Sequence, residues 1–386
     1  MSKKKILIIK PLIPKYDLEF YRKLSNQEEY EIHVTANIKT NNQLNLKSYD
    51  NETFYIHHTD IIKKGPFLYT RKLVKVINEI KPDLVIFSSN PRDISLLYIL
   101  PLCRFIYGYK TACWSMFHRI GGPIVYSSLF HKVIGLISNR NMSYTNIGKL
   151  YQIARGINPD KIDVIGTAID EKEVLKYKSS VNINLVEELK NKYNLNDKFT
   201  LLQVMRLSVI KRPHLLVDMM ELLVQHEKEA VLVLIGGGEL ENEIIEYTKS
   251  KQLQDNIIFI GPLYSEGELS CWFELSEIFV VPTCIGLSAH HAFAYGLPIV
   301  TDNSLKNQAS EFDILSDGLN CLLYDENCME SFVEKILKLK NDKNLYKKIS
   351  ENALLTVKEI YSMENKVKNF LVSLDKNFHI LKQGDI

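Results

Sequence analysis

The stretch FTLLQVMRLSVIKRPHLLVDMMELLVQ, Phe199 to Gln225, decides the fold. Phe199–Met205 is a short apolar run of strand length, and His214–Gln225 carries the apolar spacing of a helix; a turn holding Arg206 and Lys211 joins them. The rhythm continues outward. Ala230–Ile235 is a predicted strand, Glu239–Lys251 a helix, Asn256–Ile260 a strand, Glu266–Leu275 a helix, Ile278–Val281 a strand, Leu287–Tyr295 a helix and Pro298–Thr301 a strand. Gly296 and Pro298 stand where a helix should stop. From Met329 the pattern is helical, ending in a segment around Met363–Phe378. Strands alternating with amphipathic helices are the pattern of a parallel, doubly wound α/β sheet.

A second set of alternations precedes this one. Strands are expected at Lys5–Ile9, Glu31–Thr35, Asp83–Phe87, Tyr109–Trp114 and Lys161–Ile165, with helices at Leu18–Leu24, Phe67–Ile80, Ile94–Tyr107 and Pro123–Ile137. The segment from Asp170 to Lys198 is charged and polar, a linker followed by a helix. The reading is therefore α/β with two Rossmann-like domains: residues 1–180, residues 181–362, and a terminal helix, 363–386, expected to return to the first domain. Ligands of such sheets bind outside the carboxyl ends of the strands, so chemistry is expected in a cleft where the two domains face each other.

Composition narrows the function. The 386 residues are 46% hydrophobic and 24% charged with a net charge of +2, which excludes a disordered chain. The basic, apolar start MSKKKILIIKPLIP is interrupted by Lys10 and Lys15 and lacks a small-residue cleavage site, so it reads as a first strand rather than a secretion signal. Leu96 to Met116 contains Arg104 and Lys110 and is too polar to span a bilayer. Six scattered cysteines without C-x-x-C spacing fit a reduced cytoplasmic protein. The net charge conceals an asymmetry: residues 1–160 carry +11 and the remainder −9. A basic half suits an anionic surface, either membrane lipid or a phosphate-bearing acceptor, and nothing in it has a nucleic-acid-binding signature. A merely solvated basic surface has the same composition.

Five segments bear chemistry. In VMRLSVIKRP, Val204 to Pro213, a strand-to-helix turn presents Arg206 and Lys211; guanidinium, ammonium and free N–H groups together suit a diphosphate, although solvated loop charges look alike. In LIGGGELENEI, the glycines including Gly237 and Gly238 admit a ligand or another backbone, or serve a tight turn. In VVPTCIGLSAHHAFAYGLPIVT, Val280 to Thr301, the loop from Thr283 through Gly286, Leu287 and Ser288 opens a helix and forms a second anion site. Of the adjacent His290 and His291 at most one can face a ligand. In the first half, SSNPRDIS offers Asn90, also a structural cap, with Arg92 just inside a helix; CWSMFHRIGGP offers His118 as a general base or acceptor ligand. No spacing suggests a metal site.

Taken in order, RLSVIKRP, LIGGGELE, IIFIGPLYSEGELSCWFELSEIFVVPT, GLSAHHAFAYGLPIVT and SDGLNCLLYDENCMESFVEKI resemble a retaining glycosyltransferase of the GT-B fold, family 4. The first half is similar more weakly, through ILIIKPLIPKYDLEFYRKL, SSNPRDIS and CWSMFHRI, to bacterial members that build surface polysaccharides. The resemblance implies a nucleotide-sugar donor of UDP, GDP or dTDP type and a saccharide or lipid-linked acceptor. It also implies Arg206 and Lys211 on the departing diphosphate, and no metal or other cofactor. The implied location is cytoplasmic, peripheral at the inner face of the membrane. One departure stands out. The family's two glutamates fall at Thr283 and His291, where no carboxylate is present, although Thr283 and His291 still offer hydrogen bonds. Either the protein belongs to a branch that works without them, or it is a non-catalytic GT-B scaffold that binds a nucleotide sugar or a partner transferase.

Overall fold

A computed structural model describes residues 3–37, 52–122 and 124–379; Pro123, the expected first residue of a helix, and residues 380–386 of the expected terminal helix lie outside these. The chain forms two compact units, Met1–Thr167 together with Met363–Ile386, and Ala168–Ser362. The division at 167/168 replaces the expected one at 180, because the helix Glu171–Ser179 packs with the helices Glu266–Leu275 and Ser288–Tyr295 of the second unit.

The first unit has β1 (Lys4–Ile9), β2 (Tyr30–Ala36), β3 (Tyr55–His58), the hairpin β4 (Asp60–Lys64) and β5 (Phe67–Arg71), then β6 (Leu84–Ser88), β7 (Lys110–Ser115), β8 (Arg140–Ser143) and β9 (Ile162–Val164). Seven of these form one sheet in the order β3-β2-β1-β6-β7-β8-β9, each neighbouring pair parallel. Alternation along β1 sends Ile6 and Ile8 into one core with Phe20, Trp114 and Phe370, and Leu7 and Ile9 into another with Ile77, Ile99 and Ile134. Both faces are therefore covered, as a parallel sheet requires. The second unit holds β10 (Phe199–Val204), β11 (Ala230–Ile235), β12 (Ile257–Gly261), β13 (Ile278–Val281), β14 (Ile299–Asp302) and β15 (Cys321–Tyr324), all parallel, in the order β12-β11-β10-β13-β14-β15.

Two expected helices change form. Phe67–Ile80 is not one helix: Phe67–Arg71 pairs antiparallel with Asp60–Lys64, and the helix starts only at Leu73, after Lys72 turns left-handed at φ 69°. Thr70 settles the matter, its N–H bound to Ser95 Oγ at 2.7 Å and its hydroxyl to Asp93 at 2.9 Å. Ile94–Tyr107 is a short α-helix, Leu96–Pro101, that widens into a π-turn over Leu102–Ile106, where Pro101 supplies no N–H to the ladder.

The terminal helix, Met363–His379, completes the first unit. Phe370 meets Phe20 and Trp114 with ring centroids 5.1 Å apart in each case. Its polar anchor is Asp163 on β9, which accepts a bidentate pair from Arg140 at 2.7 and 2.8 Å, Ser373 Oγ at 2.6 Å and Lys376 Nζ at 3.0 Å. Burial alone would raise the Asp163 carboxyl, but the hydrogen bonds from Arg140, Ser373 and Lys376 outweigh it and hold the group below its ordinary value. A depressed acid stabilises the fold above its unfolded value, and that contribution is lost as pH falls through the folded one, here below about pH 4. Asp163→Ala leaves Arg140 buried without its partner and is expected to cost the first unit about 3–5 kcal/mol. Chemical denaturation of the two proteins at pH 7 and pH 3 checks this; the difference should shrink at the lower pH.

Candidate active site

In the second sheet the strand order reverses at β10, which sends the chain one way to β11 while β13 lies on its other side. The carboxyl ends of β10 and β13 therefore flank a topological switch point, the place where open α/β sheets bind ligands. Arg206 and Lys211 follow β10; Thr283 to Ser288 follow β13.

The turn after β10 is fixed by backbone. Met205 N–H donates to the Ile235 carbonyl at 2.9 Å, Leu207 N–H to the Gly237 carbonyl at 3.0 Å, and Leu240 N–H to the Leu207 carbonyl at 3.2 Å. A Cβ on Gly236 (φ 136°) would stand 1.8 Å from the Met205 carbonyl oxygen, and one on Gly238 would stand 2.2 Å from that of Leu207. Of the readings open to the glycine run, close approach of another backbone accounts for Gly236 and Gly238. At Gly237 the nearest atom is the Glu241 carboxylate at 3.0 Å, with no backbone in the way. Arg206 leaves this turn exposed, its Nη2 3.4 Å from Glu239.

Lys211 closes a short 3-10 turn, Val209–Lys211, and its ammonium donates to the carbonyl of Cys284. Cys284 is buried and left-handed at φ 52°, a conformation costing about 1–2 kcal/mol for a residue with a side chain. A Cβ on Gly286 would lie 3.3 Å from Lys211 Nζ, so the missing side chain leaves room for the ammonium. Gln308 staples the loop from behind: its Oε1 accepts from Ile285 N–H at 2.8 Å, and its Nε2 donates to Asp302. Among the described residues no acceptor takes the N–H groups of Gly286, Leu287 or Ser288, which precede and open the helix Ser288–Tyr295. An ammonium beside three such amides has the chemistry to hold an anion.

Neither Thr283 nor His291 carries a carboxylate, but each has a carboxyl neighbour from another element. Thr283, fully buried, lies against Asp302 at the end of β14. Burial pushes Asp302 up to about 6, and the nearby Thr283 hydroxyl, Gln308 and the Ser304 N–H hold back only part of that rise. Glu311, also buried, faces Cys284 from the side opposed in charge to Lys211. The thiol is pushed up chiefly by burial, lowered by Lys211 and raised again by Glu311. His291 sits with Nε2 3.5 Å from Glu266 and its ring stacked on Phe273, while His290 turns into the core. Asp302, Gln308 and Glu266 escaped the sequence reading; the first ends an apolar strand and the last opens a helix, positions with innocent explanations.

In the first unit, β1 and β6 form the corresponding switch point. A pocket there is lined by Lys10, Pro11, Ser88, Asn90 and Asp93. The buried Lys10 ammonium, missed as a site residue, donates to Tyr144 Oη at 3.0 Å and lies 4.1 Å over the Trp114 ring. Asn90 Oδ1 accepts from Arg92 N–H at 3.0 Å, the capping role left open above. Arg92 is not inside a helix as expected: it occupies that turn, and the helix begins at Leu96 because Leu68 pairs with the intervening backbone. His118 is buried directly after the left-handed Phe117 (φ 58°), its Nδ1–H donating to the Met116 carbonyl at 3.2 Å and its ring stacked on Tyr151.

The two parallel Rossmann-like units give the chain the GT-B fold. Residues 186–355 match the family model Glycosyl transferases group 1. Over 190 residues the chain is 27% identical to YtcC of Bacillus subtilis (strain 168), which carries a glycosyltransferase name; the match spans 46% of either protein, a little under half of the relative's length. An uncharacterized glycosyltransferase of Haemophilus influenzae is 22% identical over 362 residues, 92% of this chain and 90% of that one. The fold is similar to that of Anabaena Alr3699/HepE in complex with UDP, with a TM-score of 0.74 at 14% identity, covering 97% of this chain and 100% of the other.

Asp302 provides a test of the stapled loop. A folded value raised from 3.8 to about 6 means that stability is lost as pH rises through that window. Asp302→Asn keeps an acceptor for Gln308 without the charge, so its melting temperature relative to the native protein is expected to rise between pH 4 and pH 7. A constant offset across the window would show that the carboxyl does not titrate there.

Proposed function

We propose that the protein is a retaining glycosyltransferase that moves a sugar from a UDP, GDP or dTDP donor to a saccharide or lipid-linked acceptor in surface polysaccharide synthesis. It would work at the cytoplasmic face of the membrane. The observation that carries the reading is the Lys211 ammonium beside the open amides of Gly286 to Ser288, at the switch point of a segment matching group 1 transferases.

In this reading the diphosphate of the donor rests on those amides, with Lys211 as a point charge and the exposed Arg206 swinging onto the phosphate oxygens bidentately. As the bond from the anomeric carbon to the diphosphate oxygen breaks, that oxygen gains negative charge, which the two cations stabilise. The acceptor hydroxyl attacks from the same face, and its proton passes to the leaving phosphate oxygen. No metal is required, because the compensating charge is supplied by side chains. Asp302 and Glu311 are the carboxyl groups placed to balance positive charge developing on the sugar. Gly237, Thr283 and His291 are read as contacts to the donor, with His291 and Glu266 as a hydrogen-bonding pair for its hydroxyls. His118, Asn90 and Arg92 remain the acceptor-side residues.

The empty carboxylate positions at Thr283 and His291 favour a second reading, a scaffold that binds nucleotide sugar without turning it over. Calorimetric titration with UDP, GDP and dTDP, followed by donor-hydrolysis and transfer assays, separates the two. Arg206→Ala and Lys211→Ala are each expected to lower transfer by about 10²–10³-fold with little change in melting temperature. Binding of a nucleotide with no turnover over a broad acceptor panel would select the scaffold; undiminished transfer in both variants would remove the diphosphate grip.

A further inference from the structure

Among the described residues, none covers one apolar face of the first unit. On the helix Val125–Ile137, Phe130 and Ile134 are buried, yet Val125, Leu129, Val133 and Leu136 form a second row on the opposite side, 85%, 58%, 37% and 50% exposed. A helix that is apolar all round belongs in a larger core or in lipid. The neighbouring helical turn adds Phe105 and Ile106, 67% and 73% exposed. The β4–β5 hairpin extends the same surface. Its cross-strand pairs Ile62–Tyr69 and Lys64–Phe67 share one side, Tyr69 stacks on Tyr98 with centroids 6.1 Å apart, and Phe67 meets Tyr126 at 6.2 Å. Scattered exposed apolar residues need no explanation, but a contiguous patch does.

Charge identifies what covers it. Between Asp93 and Asp160 the chain contains no Asp or Glu and seven Lys or Arg, of which Arg140 is buried on Asp163. Lys132 lies among the exposed residues of the long helix, and Lys64 stands on the same side of the hairpin as Phe67 and Tyr69. Among the described residues no helix is long and apolar enough to cross a membrane. A protein partner of opposite charge would want salt bridges at the rim and a closed groove at the centre. Here an exposed apolar row has Lys132 on its own helix and Lys64, Tyr69, Tyr98 and Tyr126 along its edge, the layout of an interfacial lipid contact.

We propose that this face, built from the helix Val125–Ile137, the turn Leu102–Ile106 and the β4–β5 hairpin, docks on an anionic lipid bilayer. The inference rests on the reading above only for the acceptor that such docking would serve; the surface itself stands on exposure and charge. Val125 and Leu129 enter the acyl boundary, while Lys64 and Lys132 meet lipid phosphates.

Co-sedimentation of the full chain with phosphatidylcholine vesicles, with and without 30% phosphatidylglycerol, tests it. Binding is expected to the anionic vesicles and to weaken with salt. A Val125→Glu/Leu129→Glu variant should lose about a hundredfold or more in partitioning. Lys64→Ala and Lys132→Ala should each cost about fivefold on anionic vesicles alone. UDP titration and the melting temperature, which read the second unit and the fold, should not move in any of them. Equal binding to neutral and anionic vesicles, or an unaffected glutamate variant, overturns the proposal. So does a concentration-dependent dimer without vesicles that the same variant abolishes, which would assign the face to a second copy. Failure of nucleotide binding would instead strike the transferase reading and leave the docking face standing.

Discussion

The second unit's site depends on one contact, the Lys211 ammonium against the Cys284 carbonyl. It ties the turn after β10 to the turn after β13, two segments that the sheet alone would leave as independent loops. Each side is prepared for it. The left-handed Arg212 (φ 46°) ends the 3-10 turn directly after Lys211; the left-handed Cys284 and the bare Gly286 shape the receiving loop; Gln308 fixes that loop to β14. Strain at Cys284 of about 1–2 kcal/mol is tolerable because a charge-assisted hydrogen bond and a buried amide network over-determine the loop. The open amides follow without further design, since the loop enters the helix Ser288–Tyr295 with its first N–H groups unclaimed among the described residues.

Much of this could be read from the sequence. The strands β10, β11, β13 and β14 were legible because apolar runs of four to seven residues ended in Gly, Pro or charge, and Gly296 marked its helix end at φ 72°. Arg206 and Lys211 were legible as a cationic turn. What escaped was whatever owes its place to pairing across the fold. Arg140–Ser143 is polar and reads as loop, and becomes a buried strand only because Arg140 finds Asp163 twenty-three residues on. Phe67–Arg71 reads as the start of a helix until Asp93 and Ser95 claim Thr70. Lys10 looked like a break in an apolar run, whereas Trp114 and Tyr144 make burial tolerable for its charge.

The same limit explains the carboxylates. Sequence alignment compares positions, but a ligand meets charges in space, and a side chain from an adjacent strand end can present a carboxyl near the place another has vacated. Asp302 beside Thr283, Glu311 beside Cys284 and Glu266 beside His291 come from three elements, none in the helix that carries His291. Their states differ with their surroundings. Asp302, buried and raised to about 6, is close to changing charge near neutrality. A bound anion nearby would raise it further and a developing cation would lower it, so the group's charge is coupled to events at the loop rather than fixed in advance.

The two units also differ in how their cores close. Ala168–Ser362 is continuous, so every strand of its sheet is made from one uninterrupted stretch. The first unit needs both ends of the chain: Phe370 and Leu374 fill the layer against Phe20 and Trp114, and Ser373 and Lys376 complete the shell around Asp163. Without the helix Met363–His379, that face of the sheet would expose aromatic surface, and Arg140 and Asp163 would keep only each other. Contacts spanning more than two hundred residues close late, after the loop between them has been ordered at an entropic cost that grows only slowly with length.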